Sequence, residues 1–190
     1  RLDPDSEEET AADLVNSADT SRLERIIREF GEEPMAGRIA RTIKERRAKA
    51  PFRTTQELAE AVKSAYPAKW RRTSRRHPAT RTFQALRIAV NEELEELSAF
   101  LERIPRFLRP GGRVAVISFH SLEDRRVKWA FRRAASGCEC PEDKMVCTCQ
   151  GRPRLHLVNK KPITPSDEEI ARNRRSRSAK MRVAEAPEEQ

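Results

Sequence analysis

Apolar side chains recur at intervals of three and four positions through residues 18–66, which is the spacing of one face of an α-helix. Gly31, Pro51 and Pro67 divide this pattern into three stripes, because glycine and proline commonly end helices. The stripes consist of Leu23, Ile26, Ile27 and Phe30; of Met35, Ile39 and Ile43; and of Leu58, Ala59, Val62 and Tyr66. The pattern therefore predicts three helices packed as a small helical unit.

The same spacing returns in residues 83–108, where it predicts one long helix. Its apolar positions are Phe83, Leu86, Val90, Leu94, Leu97, Leu101 and Ile104. Pro110, Gly111 and Gly112 follow as a turn sequence that ends the helix.

An unbroken apolar run, V-A-V-I at residues 114–117, follows that turn and is rich in β-branched residues. Such a run predicts a strand buried on both faces, as in a parallel sheet. Ser121 is then predicted to be the N-cap of the next helix, with Asp124 as the acidic half of a capping box. The apolar side of this helix is predicted to consist of Leu122, Val127, Trp129 and Ala130.

Four side chains lie where this strand ends: Ser118, Phe119, His120 and Ser121. In open α/β sheets ligands bind at the carboxyl ends of the strands, so these residues are candidates for the wall of an active site. The alternative is that the serines only cap the helix and that His120 only satisfies a backbone carbonyl. No residue in this set is identified as a catalytic base.

Two further segments, residues 155–158 and 179–184, are predicted to be half-buried strands. Together with residues 114–117 they make a thin, open sheet. The order of helix, strand and helix indicates the α/β class. The chain is therefore predicted to be part of an α/β domain with an all-helical insertion, and to be mostly helical overall.

Charge is distributed unevenly along the 190 residues, which carry a formal net charge of +9. Residues 1–37 contain 4 basic and 11 acidic side chains, whereas residues 38–87 contain 15 basic and 3 acidic ones. This asymmetry favours a polyanionic partner, nucleic acid first of all. No run of about 18 apolar residues is present, so no membrane span is predicted. The acidic first residues do not resemble a targeting peptide, and a cytoplasmic protein is expected.

Residues 68–82, A-K-W-R-R-T-S-R-R-H-P-A-T-R-T, have neither a helical nor a strand period and are predicted to form a basic loop. Trp70 and His77 favour contact with nucleic acid, because aromatic rings and arginine side chains stack on unpaired bases. A solvated, charged linker is the alternative.

Four cysteines, Cys138, Cys140, Cys147 and Cys149, form the pattern C-x-C-x6-C-x-C. Four thiolates in one loop can bind a structural zinc ion, which favours tetrahedral sulfur ligands. The pairs are closer in sequence than in most zinc sites, and a loop of free thiols is the alternative. A catalytic zinc is not expected, because four thiolates leave no open coordination position.

Longer motifs occur in order along essentially the whole chain. They are H-P-A-T-R-T-F-Q-A-L-R-I-A-V-N-E-E-L at residues 77–94, P-G-G-R at 110–113, I-S-F-H-S-L-E-D-R at 117–125, K-P-I-T-P at 161–165 and R-S-A-K-M-R-V-A-E at 177–185. Together they resemble signatures of the RsmH (MraW) family, bacterial S-adenosylmethionine-dependent methyltransferases of small-subunit ribosomal RNA. The resemblance implies methylation of N4 of one cytidine of 16S rRNA, at the decoding centre of the 30S subunit.

The resemblance also implies a Rossmann-like class I methyltransferase domain interrupted by a helical insertion. Residues 1–17 would be a lead-in, residues 18–78 the rRNA-binding insertion, and residues 79–190 the C-terminal part of the methyltransferase domain, with the cysteine loop at 137–150. S-adenosylmethionine would be the cofactor and the 30S subunit the partner, while formation of a homodimer is left open. The residues expected to contact rRNA are Arg38, Arg41, Trp70, Arg71, Arg72, Arg75, Arg76, His77 and Arg81.

The sequence departs from this family in what it lacks. None of its six glycines forms a glycine-rich turn after a strand, which such a cofactor needs, and the family's S-S-P-Q segment is missing. The chain is therefore expected to match the C-terminal two thirds of the family, to hold no cofactor-binding residues and to be inactive alone. Non-catalytic binding of RNA or the ribosome is the alternative function. DNA binding is a weaker one, because no helix-turn-helix or zinc-finger spacing is present.

Overall fold

The computed structural model of the protein describes residues 9–73, 77–137 and 151–188. The chain divides into two compact units, Arg1–Glu93 and Leu94–Gln190. In their described parts, the first unit is all-helical and the second combines helices with a small sheet. None of the helices described is long and apolar enough to cross a membrane.

The described part of the first unit holds six helices. They are α1 (Ala11–Ser17), α2 (Thr20–Gly31), α3 (Ala36–Arg47), α4 (Thr55–Ala65), α5 (Ala68–Thr73) and α6 (Thr80–Val90). Polar side chains determine where three of them begin, and at α1 Thr10 and Asp13 form a capping box. Asp19 accepts the backbone N–H of Arg22 at the start of α2, and Thr54 and Glu57 form a capping box at α4.

The core of this unit is built from the apolar stripes that the sequence predicts. Helix α2 packs against α3 and α6, and α3 packs against α4. The fully buried side chains include Leu23, Ile27, Ile39, Ile43, Val62 and Leu86. The three helices predicted within residues 18–66 are thus confirmed, and α6 extends the unit beyond residue 78. A Cβ atom at Gly31 would lie 2.8 Å from the carbonyl oxygen of Arg81, so glycine allows α2 and α6 to approach closely.

The predicted basic loop at residues 68–82 is wrong in part, because α5 occupies Ala68–Thr73 and α6 begins at Thr80. The ring of Trp70 lies 6.1 Å from the ring of Tyr66, centroid to centroid. A helix of six residues is less than two turns long and is too short to show a repeating apolar stripe. Periodicity therefore could not detect it.

The predicted long helix at residues 83–108 is also wrong, since it is two helices, α6 and α7 (Glu93–Arg103), followed by a 3-10 turn at Ile104–Arg106. Glu92 adopts a left-handed φ of 47° between them. The Asn91 side-chain amide donates to the carbonyl oxygen of Arg87 at 2.9 Å and helps to end α6. The apolar spacing continues across this short break, so the sequence pattern does not reveal it.

The second unit continues with β1 (Arg113–Ser118), α8 (Ser121–Ser136), β2 (His156–Leu157), α9 (Asp167–Arg172) and β3 (Lys180–Glu185). The sheet order is β1-β3-β2, with β3 antiparallel to both neighbours. Its register places Val114 opposite Ala184 and Ser118 opposite Lys180. A strand lies in each of the segments predicted at 155–158 and 179–184, and the mostly helical composition predicted for the chain is confirmed for the described residues. The small antiparallel sheet is compatible with the predicted α/β class.

The prediction that β1 is a parallel strand buried on both faces is wrong for the described residues. Its pairing partner there is the antiparallel strand β3, and burial alternates along it. Val114 packs with Val127 and Phe131 of α8, whereas the side chain of Ile117 is 56% exposed. The cause is that the described helices of this unit cover one face of β1, so an apolar run does not by itself report burial on two sides.

Candidate functional site

The corner between β1 and α8 is built around His120, which is the N-cap of α8. Its Nδ1 accepts the backbone N–H of Glu123 at 3.3 Å, and Glu123 Oε2 accepts the backbone N–H of Phe119 at 2.8 Å and of His120 at 3.2 Å. The prediction of Ser121 as N-cap with Asp124 as its partner is therefore wrong by one residue. Serine is the commoner cap, but the imidazole of His120 accepts the same hydrogen bond.

The protonation of Glu123 follows from this arrangement. Burial alone raises the pKa of its carboxyl, but the interaction with His120 and the backbone N–H of Phe119 outweigh burial. The pKa of Glu123 therefore lies below its ordinary value. His120 Nε2 is 3.2 Å from Glu123 Oε1, so the second ring nitrogen of His120 also faces the carboxylate that caps the start of the helix.

The other predicted wall residues differ in accessibility. Ser118 is buried, and its hydroxyl donates to the carbonyl oxygen of Lys180 at 3.3 Å. The side chain of Phe119 is 54% exposed, and Ser121 is exposed at the first position of α8. A ligand approaching this corner would thus meet Phe119 and Ser121, while Ser118 and His120 hold the backbone in place.

Asp124 has a structural role next to this corner. Its Oδ1 accepts from Nε of Arg182 at 2.7 Å and its Oδ2 accepts from Nη2 at 3.2 Å, with Lys180 Nζ 3.5 Å away. Both Asp124 and Arg182 are buried. Burial alone raises the pKa of Asp124, but the two cations outweigh it and hold that pKa below its ordinary value. The pair joins α8 to β3.

In the first unit, a groove between α2 and α3 carries two of the predicted nucleic-acid contacts. Arg38 and Arg41 are exposed, and within the described residues neither pairs with an acidic side chain. The groove is lined by Thr20, Glu24, Arg28, Pro34, Met35, Gly37, Arg38 and Arg41. The exposed guanidinium groups of Arg38 and Arg41 can bind an anion from solvent.

The remaining predicted contacts of this unit are partly engaged. Trp70 is 48% exposed beside Tyr66, and His77 is exposed with Nδ1 accepting the backbone N–H of Ala79 at 3.2 Å. Arg81 donates to the carbonyl oxygen of Glu32 at 3.1 Å, beyond the end of α2. Arg81 Nη1 also lies 3.9 Å from Glu33 Oε2, whereas Arg41 donates only to the carbonyl oxygen of Gly37 in its own helix.

Several predicted site residues cannot be placed. Arg75, Arg76 and the four cysteines, Cys138, Cys140, Cys147 and Cys149, lie outside the described residues. Arg71 and Arg72 lie on α5, but their side chains are outside the description too. The zinc prediction thus stays a prediction.

The sequence analysis did not predict an exposed aromatic surface on the outer side of α8. Trp129, predicted to lie on the apolar side of α8, is 58% exposed on the outer side of that helix. The signal that identifies it is its spacing, because Trp129 follows Arg125 by four positions and precedes Arg132 by three. On a helix these three side chains share one face.

Comparison with known proteins assigns the chain to a protein family. The model of the MraW methylase family matches residues 1–187, so the chain belongs to that family. This confirms the resemblance inferred from the motifs.

Two individual relatives show how similar the chain is to known proteins and how much of their length it covers. The chain is 63% identical over 177 residues to the ribosomal RNA small subunit methyltransferase H of Solidesulfovibrio magneticus. The aligned residues make up 93% of this chain and 55% of that protein. It is 56% identical over 185 residues to the protein of the same name from Oleidesulfovibrio alaskensis, covering 97% of this chain and 57% of that one. The chain thus spans about half the length of these relatives, less than the two thirds expected from the motifs.

Proposed function

We propose that this chain is the rRNA-binding part and the C-terminal sheet edge of a class I methyltransferase that transfers a methyl group from S-adenosylmethionine to N4 of a cytidine in the decoding centre of 16S rRNA. The observation that carries this proposal is the 63% identity to a ribosomal RNA small subunit methyltransferase H across nearly the whole chain. A cytoplasmic location and association with the 30S subunit follow from this function.

The geometry that supports RNA binding is in the first unit. The exposed Arg38 and Arg41 stand one helical turn apart on α3, and phosphate groups are the anions that arginine forks bind best. Trp70 adds a half-exposed ring on which an unpaired base can stack. Residues 38–87 supply the surrounding excess of positive charge.

The described residues do not fit S-adenosylmethionine. They hold no glycine-rich turn after a strand, and the hydroxyl of Ser118 and Nδ1 of His120 at the end of β1 are hydrogen-bonded within the protein itself. This chain's residues therefore contribute RNA binding and the strand-end corner. Non-catalytic RNA binding is the second candidate function, favoured by the same observation.

A calorimetric titration of the 190-residue chain with S-adenosylmethionine tests this division. We expect no measurable heat, because the described residues offer no pocket for the methionine end of the cofactor. Micromolar binding would contradict the division and would mean that this chain builds the cofactor site.

A second experiment tests the groove between α2 and α3. We expect Arg38→Gln combined with Arg41→Gln to weaken binding of a fluorescein-labelled RNA from the decoding region of 16S rRNA. The slope of the logarithm of the binding constant against the logarithm of the salt concentration should become shallower by about 1.4, since each lost phosphate contact on a single strand contributes about 0.7. Fluorescence anisotropy across a salt series measures both quantities.

The matched control removes two arginines that already have acidic partners in the same unit. Arg22→Gln and Arg87→Gln together lose the same net charge, but their guanidinium groups are paired with Glu9 and Glu93. Their salt slope should change little. Equal slopes for the two double variants would show that only net charge matters, and the groove would then not be the RNA site.

A further inference from the structure

The outer side of α8 carries a second cationic surface, which the proposed contacts of the first unit do not include. We define the α8 basic face as Arg125, Arg126, Lys128, Trp129, Arg132 and Arg133. Arg125, Trp129, Arg132 and Arg133 are exposed, and Arg126 and Lys128 are partly exposed. The inner side of α8 packs Val127 and Phe131 into the core of the second unit.

No acidic residue of α8 offsets these charges on the outer side. The acidic residues of α8 are Glu123 and Asp124, and both are used elsewhere. Glu123 interacts with His120 and the backbone at the start of the helix, and Asp124 is buried against Arg182. Among the charged residues of α8 itself, those on the outer side are therefore all cationic.

Trp129 lies in the middle of this face. Its indole ring is 58% exposed, although burying a side chain of this size would be favourable. Lys128 Nζ lies 5.4 Å and Arg132 Cζ 5.7 Å from the ring centroid. An exposed aromatic ring between cations is the arrangement that binds unpaired nucleotides, because the base stacks while the cations hold phosphates.

The face extends for about two turns of helix. Arg125 and Arg133 are separated by about 12 Å along the axis, at 1.5 Å per residue. Past that point the backbone N–H of Arg154 donates to the carbonyl oxygen of Ala134 at 2.8 Å. This contact brings the exposed Arg154 near the C-terminal end of α8.

We propose that the α8 basic face binds an unpaired segment of ribosomal RNA, with one base stacked on Trp129 and the flanking phosphates held by the arginines. This inference rests on the proposed function and adds a second RNA contact, in the second unit, to the groove of the first. RNA is favoured over a protein partner because every charged side chain of α8 beside the ring is cationic, which suits a polyanion, and because the ring offers a stacking surface for a base.

The chain has two tryptophans, so two single-tryptophan variants report on the two units separately. Trp70→Phe leaves Trp129 as the only indole, and Trp129→Phe leaves Trp70. Each variant of the full chain is titrated with a 12-nucleotide single-stranded RNA of mixed sequence. Inorganic polyphosphate serves as the control polyanion, because it has phosphates but no bases.

We expect RNA to quench the fluorescence of Trp129 in the Trp70→Phe variant, and polyphosphate to quench it far less. Trp129→Ala should weaken RNA binding on the order of tenfold, as for the loss of a stacked base. Phe100→Ala removes another half-exposed ring, from the acidic helix α7, and should leave RNA binding unchanged.

The outcomes separate the two proposals. If RNA changes the fluorescence of Trp70 but not of Trp129, the α8 proposal is overturned while RNA binding by the first unit stands. Equal quenching of Trp129 by RNA and polyphosphate would also overturn it, because base stacking would then play no part. If neither indole responds and anisotropy detects no complex, the proposed function fails as well.

Discussion

Replacing Asp124 with asparagine is expected to lower the free energy of unfolding by about 3–5 kcal/mol, because it leaves the buried guanidinium of Arg182 without a counter-charge. The side chain keeps its shape, so the loss is one of charge rather than packing. Lys180, whose side chain is 42% exposed, can turn to solvent, but Arg182 at 10% cannot. Urea denaturation followed by circular dichroism measures the change.

A control for this variant lies on the same pair of strands. Arg113 and Glu185 form an ion pair across β1 and β3, but the side chain of Arg113 is 66% exposed. Arg113→Gln should therefore cost at most about 1 kcal/mol. Similar losses for Asp124→Asn and Arg113→Gln would show that burial does not set the strength of the Asp124 interaction.

The effect of Asp124→Asn should also depend on pH. The pKa of Asp124 is lowered in the folded chain, since Arg182 and Lys180 outweigh burial. A carboxyl with a lowered folded pKa contributes stability that is present above its unfolded pKa and is lost as the pH falls through the folded pKa. The difference between the parent chain and Asp124→Asn should be complete above about pH 5 and shrink below about pH 4.

Gly137→Ala is expected to destabilise the second unit by about 2–5 kcal/mol, for two reasons that add. Gly137 has a φ of 65°, a left-handed conformation that costs alanine energy. A Cβ atom there would also lie 2.5 Å from the carbonyl carbon of Arg152 and 2.6 Å from the nitrogen of Pro153. Both contacts are with backbone, which cannot rotate away as a side chain could.

Gly111→Ala separates these two contributions. Gly111 has almost the same φ, 67°, but a Cβ atom there would meet nothing within 4 Å. It should cost only the backbone strain, about 1–2 kcal/mol. Thermal unfolding and hydrogen exchange of α8 and β3 measure both variants. If the two alanine variants lose equal stability, the segment at residues 152–153 does not press against Gly137.

The family and the three helices within residues 18–66 were accessible from the sequence alone. Helices at residues 18–66 follow from apolar spacing, because a helix records its buried face in positions three and four apart. The strands at 155–158 and 179–184 follow in the same way from local composition. Membership of the MraW family follows from motifs that are continuous in the sequence and can be recognised without knowing the fold.

The sequence predicted where β1 ends and α8 begins, but not which residue is the N-cap of α8. Choosing His120 over Ser121 as N-cap depends on which residue has extended backbone angles, and both side chains can accept the bond. The break at Glu92 is likewise a matter of one backbone angle within an uninterrupted apolar pattern. Local sequence leaves such choices of one residue undecided.

The sequence by itself determined the helical unit, its basic character, the strand segments and the family. Only the tertiary structure decided that β3 lies between β1 and β2 and that Asp124 is neutralised by Arg182. The physical reason is distance along the chain. Periodicity and capping are set by residues within one or two turns, whereas strand pairing and buried charge join residues 58 positions apart, as Asp124 and Arg182 are.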